Sequence, residues 1–248
     1  MDIQVFPLSE GVFTIGHDKV FIPFDEYKHD LLSRSTGSLL VEIQPFLVQV
    51  KGHHILFDSG LGFKTPEGQL QIHSNLRSIG IEPSLIDMVI LSHLHKDHTG
   101  GLLYTNELGV MEMSFPNATY YIGKQEFSYA MEKGLPSYKV EDFDSLKNSP
   151  HVEWLDEKGS ISDFISYETD GGHCPYHISF LIQGSGGPLF FGGDVAPQLK
   201  QLKTRYIAKY DFDGRRTMEL RQKYAHKGKE EGWTFLFYHD VKTPYSKV

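Results

Sequence analysis

The chain has 248 residues, a single cysteine and a formal net charge of −8 at pH 7. This length suffices to bury a sizeable core, and no Pro-rich or Ser-rich linker divides it, so we expect one domain over residues 1–248. The acidic balance and the scattered basic residues disfavour nucleic acid as a partner. No segment is apolar for long enough to cross a bilayer, and the N-terminus lacks the regions typical of a signal peptide, which predicts a cytoplasmic protein with no membrane partner.

Short apolar runs of three to six residues predict strands, and amphipathic runs that end at glycine predict helices. Residues 21–38 are polar and predict a long loop, and residues 137–150 predict a polar insertion. Two β-rich halves follow from this pattern. The predicted strands cover residues 4–7, 11–15, 39–43, 46–50, 54–58, 86–91, 118–122, 152–155, 165–169, 178–183, 189–191 and 234–238, and the predicted helices cover residues 69–79, 124–133 and 217–229.

The most informative segment is HLHKDH, which contains His93, His95, Asp97 and His98 within six residues. It begins one residue after the predicted strand 86–91 and is followed by Thr99 and two glycines, so we expect it on the loop that leaves a buried strand, where functional residues are common. Imidazole and carboxylate groups are good ligands for divalent metal ions. Four of them at this spacing favour a metal site over four unrelated surface side chains.

Three more residues of ligand type follow a predicted strand or a glycine turn, namely His173, Asp194 and His239. Taken alone, the glycine-flanked Asp194 would be typical of a helix N-cap. Together with the four residues of the HLHKDH segment they make seven ligands, enough for two adjacent metal ions that share one carboxylate and one solvent oxygen. Histidine-rich ligation without a thiolate predicts two Zn²⁺ per chain, although Fe, Mn or Co would accept the same donors.

The order of these seven residues resembles that of the metallo-β-lactamase-fold hydrolases, and so does the FDSGLG motif at residues 57–62. The resemblance covers nearly the whole chain. It implies an α/β fold, namely an αββα four-layer sandwich of two mixed sheets flanked by helices, with a dinuclear site at one edge. It assigns His93, His95 and His173 to the first ion, Asp97, His98 and His239 to the second, Asp194 to both, and Asp58 and His177 to the orientation of ligands from behind.

The chemistry that follows is metal-dependent hydrolysis of a small-molecule substrate. Two divalent ions lower the pKa of a bridging water, and we expect the resulting hydroxide to attack a carbonyl or phosphoryl group. Asp97 and Asp194 are the predicted catalytic residues. Asp194 would bridge the ions, and Asp97 would bind metal and shuttle a proton.

The pattern is most similar to the lactonase and organophosphate-hydrolase branch, which includes quorum-quenching acyl-homoserine lactonases, so opening of a lactone is the preferred prediction. Phosphotriester hydrolysis and a thioesterase of the glyoxalase II type stay open. The latter is disfavoured because such enzymes add a C-terminal helical region and this chain ends at Val248. A β-lactamase is disfavoured because Asp194 stands where those enzymes have a cysteine. A non-catalytic metal-binding or sensor module and an iron redox protein are the alternatives from other classes.

One departure from the lactonases concerns a tyrosine that they place three residues after the bridging aspartate, where this chain has Pro197. Tyr138, Tyr176 and Tyr206 are the candidates for supplying that hydroxyl from elsewhere. We expect Cys174 to be inert and the lysine inside the HLHKDH segment to be solvated. The oligomeric state stays open, with a homodimer as one option.

Overall fold

The computed structural model describes residues 2–106 and 108–248. Short 3-10 helices cover Leu31–Ser33, Pro83–Leu85, Val140–Asp142, Asp144–Asn148 and Gly193–Val195. The helices are α1 (Gln71–Ser78), α2 (Lys96–Thr99), α3 (Lys124–Lys133), α4 (Leu199–Lys203) and α5 (Gly214–Glu231). The strands are β1 (Ile3–Pro7), β2 (Gly11–Ile15), β3 (Phe21–Pro23), β4 (Leu39–Ile43), β5 (Phe46–Val50), β6 (His53–Phe57), β7 (Met88–Ile90), β8 (Leu103–Thr105), β9 (Met111–Met113), β10 (Thr119–Gly123), β11 (Val152–Leu155), β12 (Lys158–Ser160), β13 (Ile165–Thr169), β14 (Ile178–Ile182), β15 (Leu189–Phe191), β16 (Thr234–Leu236) and β17 (Tyr245–Lys247).

Two mixed sheets of six strands form the centre of the fold. The first has the order β1-β5-β6-β7-β10-β11, and the second has the order β12-β13-β14-β15-β16-β17. In the first sheet β6, β7, β10 and β11 run parallel, whereas β1, β5 and β6 are antiparallel neighbours. In the second sheet the pair β15 and β16 is parallel and the other neighbours are antiparallel.

The alternation of side chains along the strands separates the layers, because successive residues of a strand point to opposite faces. On β6, Phe57 lies in the core between the two sheets, whereas Leu56 lies in the outer core with residues of α1 and α3. On β15, Phe191 lies in the inter-sheet core and Phe190 lies in the outer core with a residue of α5. The Phe57 and Phe191 rings meet across the sheets at 5.1 Å. This arrangement confirms the predicted four-layer αββα sandwich.

The loop predicted over residues 21–38 is wrong in part. Residues Phe21–Pro23 form β3, which pairs antiparallel with β2 at the edge of a small three-stranded sheet. The Phe21 ring packs on Phe13 at 6.3 Å, and an edge strand tolerates Pro23 because its missing N–H is not needed for the ladder. None of the helices in the described ranges combines the length and apolar character that crossing a membrane requires.

The chain segments that leave the sheets at one edge are tied to each other by backbone hydrogen bonds. The N–H of Asp58, after β6, donates to Ile90 of β7 at 3.0 Å. The carbonyl of Ser92, after β7, accepts from the N–H of Ile178 at the start of β14 at 2.8 Å. The second contact joins the two sheets, so the loops that follow β6 and β7 meet the loop that precedes β14.

Gly62 and Gly100 lie back to back where two of these loops cross. A Cβ on Gly62 would lie 2.0 Å from the carbonyl oxygen of Gly100, and Gly62 has a φ of +72°. We expect Gly62→Ala to lower the free energy of unfolding by about 2–6 kcal/mol, because left-handed strain and overpacking add together. Thermal denaturation measures the change. Gly68→Ala is the control, since Gly68 has a φ of +84° but open space around it, and should cost only about 1–2 kcal/mol. Equal losses for the two variants would show that the close approach is unimportant.

Candidate metal centre

The seven predicted ligands lie on four chain segments at one edge of the sandwich. The segment after β7 supplies four of them, and α2 begins directly after His95, so Asp97 and His98 lie in its single turn. The other segments precede β14, follow β15 and follow β16. They supply His173, Asp194 and His239 respectively.

The structure brings all seven residues together. Within each of three groups, one ligand atom of every residue lies within 4.8 Å of the others. Asp194 belongs to one of these groups and lies between the other two, which we call the outer groups. Its Oδ2 is 3.3 Å from His173 Nε2 of one outer group, and its Oδ1 is 3.1 Å from His239 Nε2 of the other. The groups are His93 with His95 and His173, Asp97 with His98 and His239, and His93 with His98 and Asp194.

Unpartnered polar atoms show that these residues fit divalent metal ions. His93 Nε2 and His98 Nε2 are buried and have no hydrogen-bond partner within the part of the chain that the structure describes. Leaving a buried polar atom unpartnered costs about 1–3 kcal/mol, so two in one cluster would be costly for the protein alone. Imidazole nitrogens and carboxylate oxygens without a thiolate are donors that Zn²⁺ accepts.

The electrostatics of the cluster favour added positive charge. Burial alone would raise the pKa of Asp194, but the nearby His239 and His173 outweigh burial and hold that pKa well below its ordinary value. Burial alone would lower the pKa of His98, but Asp97, Asp194 and other carboxylates outweigh it and hold the pKa well above its ordinary value. In the metal-free protein the carboxylates therefore favour a proton on His98, which metal binding would displace. Burial and the neighbouring histidines instead hold the pKa of His93 and His95 well below its ordinary value, so these two imidazoles are ready to bind metal.

Asp58 and His177 lie behind the cluster, each on a different ligand. Asp58 Oδ2 accepts from His98 Nδ1 at 2.7 Å and from the Ser92 hydroxyl at 2.7 Å. His177 belongs to none of the three groups, and its Nε2 accepts from the backbone N–H of Asp194 at 3.2 Å. Both residues thus fix the orientation of a candidate ligand, which is how outer residues commonly support metal sites.

Two partners of the cluster were missed by sequence reasoning. Asp211 Oδ1 lies 2.9 Å from His173 Nδ1, and its side chain is fully buried. The backbone carbonyl of Glu42 lies 2.7 Å from His239 Nδ1. Asp211 is 38 residues from His173 along the chain, and a backbone carbonyl has no residue identity, so no local pattern could have found either contact.

The sequence contains three candidate tyrosines to supply the hydroxyl that is missing at Pro197. Of these, only Tyr138 has a ring contact with a candidate ligand within residues 2–106 and 108–248. Its ring lies 4.8 Å from that of His95, and the residue is buried. Tyr210, which the sequence did not single out, lies 6.0 Å from the ring of His173. Two tyrosines therefore contact different histidines of the three-histidine group.

Two other residues of the ligand segments, Cys174 and Lys96, belong to none of the three ligand groups. Cys174 is buried, and burial raises the pKa of its thiol well above the ordinary value, as expected for an unreactive cysteine. Lys96 is half-buried rather than fully solvated, and its Nζ lies 5.8 Å from the centre of the Phe21 ring.

Comparisons with known proteins agree with this geometry. The family described as Metallo-beta-lactamase superfamily matches residues 42–239. The N-acyl homoserine lactonase AttM of Azorhizobium caulinodans is 30% identical over 135 residues, which cover 50% of this chain and 46% of AttM. The chain thus spans about half the length of the curated relatives it matches.

Two solved structures share the fold over almost the whole chain. A probable metal-dependent hydrolase from Staphylococcus aureus has a TM-score of 0.77 at 20% identity, covering 98% of this chain and 91% of that one. AidC, a dizinc quorum-quenching lactonase, has a TM-score of 0.73 at 18% identity, covering 99% of this chain and 90% of AidC.

Proposed function

The chain belongs to the metallo-beta-lactamase superfamily, and we propose that it is a two-metal hydrolase that opens a lactone or a related ester. The observation that carries this proposal is the convergence of seven imidazole and carboxylate side chains from four chain segments. Asp194 lies between the two outer groups, as a carboxylate shared by two ions would. Zn²⁺ is the ion we propose, with Fe, Mn or Co as substitutes that the same donors accept.

In this proposal each outer group would hold one ion, and Asp194 would serve both. Bound divalent ions supply an acidified water molecule and polarise the carbonyl oxygen of the substrate. The Asp97 carboxylate would take the proton from that water and return it to the leaving oxygen. The Tyr238 hydroxyl donates to the backbone carbonyl of Asp97 at 2.7 Å, which fixes the residue for this transfer.

The lactone is proposed from two relatives that are described as lactonases. AttM resembles the chain in sequence, and AidC resembles it in fold. The test is a panel of lactones, thioesters, phosphotriesters and β-lactams, assayed with zinc-loaded and with chelator-stripped protein. We expect turnover of lactones that is lost on chelation and restored by zinc. Turnover confined to thioesters or phosphotriesters would show that the substrate is not a lactone. Two bound zinc ions without turnover of any compound would favour a binding or sensor module.

A further inference from the structure

Glu126 is a buried carboxyl group that the proposed chemistry does not use. It lies in the first turn of α3, and the residue is 1% exposed. It belongs to none of the three ligand groups. A buried carboxyl group is costly unless its oxygens have partners, so its contacts indicate what it does.

The partners of Glu126 lie on two separate segments that carry candidate ligands. Its Oε1 accepts from the backbone N–H of Leu94 at 3.2 Å. Both of its oxygens accept from the Cys174 thiol at 3.4 Å. Leu94 stands between His93 and His95, and Cys174 directly follows His173. One side chain from α3 therefore joins the two segments that supply the three-histidine group.

The other ligand group shares the segment after β7 through Asp97 and His98, but it has supports of its own. His98 is held by Asp58, which follows β6. His239 is held by the backbone carbonyl of Glu42 in β4. Neither contact passes through α3. Loss of the Glu126 carboxyl group should thus loosen one ligand group and leave the other in place.

The geometry points to Glu126 as a positioning residue for the three-histidine group alone. This inference rests on the proposed two-metal function, because it concerns the affinity for one of the two ions. Replacement of an outer support of this kind typically costs about 10–100-fold in metal affinity. The effect should be confined to the ion that His93, His95 and His173 would hold.

The test measures Zn²⁺ affinity by competition with a chelator in two backgrounds that each retain one ligand group. His239→Ala retains the three-histidine group, and His95→Ala retains the group of Asp97, His98 and His239. Adding Glu126→Leu, which keeps a similar volume, should lower the affinity for the remaining zinc ion about 10–100-fold in the His239→Ala background. The same change should have no effect in the His95→Ala background.

Two further variants separate positioning from general damage. Glu126→Gln retains a carbonyl oxygen for the N–H of Leu94 and should restore most of the affinity, while Glu132→Leu makes the same change on the exposed side of α3 and should have no effect. Thermal melting of the metal-free proteins checks that each variant folds. Equal weakening in both backgrounds, or weakening in neither, would overturn the inference. A wild-type chain that binds no zinc would instead overturn the two-metal proposal, so the two failures are distinguishable.

Discussion

Replacing Asp194 with asparagine should lower turnover by about 1000-fold or more and reduce bound zinc from two equivalents per chain to one or fewer. The two carboxylate oxygens face different groups, with Oδ2 3.3 Å from His173 Nε2 and Oδ1 3.1 Å from His239 Nε2. An amide has the same shape but only one oxygen and no charge, so it could serve one ion at most. Metal analysis after dialysis and steady-state kinetics measure the two effects.

The control for this prediction is an asparagine at a carboxylate far from the cluster. Asp163 is largely exposed and pairs with Lys51 on the surface, where such pairs contribute little. Asp163→Asn should therefore leave both turnover and metal content unchanged. An Asp194→Asn protein that keeps two zinc ions and normal turnover would rule out a shared carboxylate.

Much of the cluster could be predicted because four of its seven members lie in one short segment. His93, His95, Asp97 and His98 follow a buried strand, and residues at strand ends meet at one edge of a sheet. The remaining three were recognisable because each follows a strand or a glycine turn, in the order that the resemblance implies. The structure brings all seven together, although which ions they bind stays a prediction.

Apart from Asp58 and His177, the supports behind the ligands could not be predicted, because they depend on contacts between distant segments. Glu126 approaches Leu94 from a helix 32 residues away, and Asp211 reaches His173 across 38 residues. Neither residue lies in a motif. The short strand β3 was missed for a similar reason, since its pairing with β2 and the contact of Phe21 with Phe13 stabilise a segment whose own sequence is typical of a loop.

Asp58→Asn is expected to weaken zinc binding at the group of Asp97, His98 and His239 by about 10–100-fold. Asp58 Oδ1 accepts from the backbone N–H of Ser92 at 2.8 Å, and its Oδ2 accepts from His98 Nδ1 at 2.7 Å. If the amide oxygen keeps the contact with Ser92, the amide NH₂ faces His98 Nδ1. His98 Nδ1 must then accept a hydrogen bond from the amide, so the ring proton moves to Nε2, the atom that faces the proposed metal position. A protonated Nε2 cannot bind metal.

The opposite amide orientation does not rescue the site, because the NH₂ would then face the N–H of Ser92, and two buried donors would oppose each other. Asparagine is the informative replacement since Asp58 has a φ of +56°, which asparagine tolerates and alanine does not. Asp87→Asn is the matched control, because Asp87 accepts from the backbone N–H of His54 at 2.7 Å and precedes β7, whereas the ligand segment follows that strand. Chelator competition on both variants decides the matter. Wild-type zinc affinity in Asp58→Asn would show that the protonation of His98 is set by something other than this carboxylate.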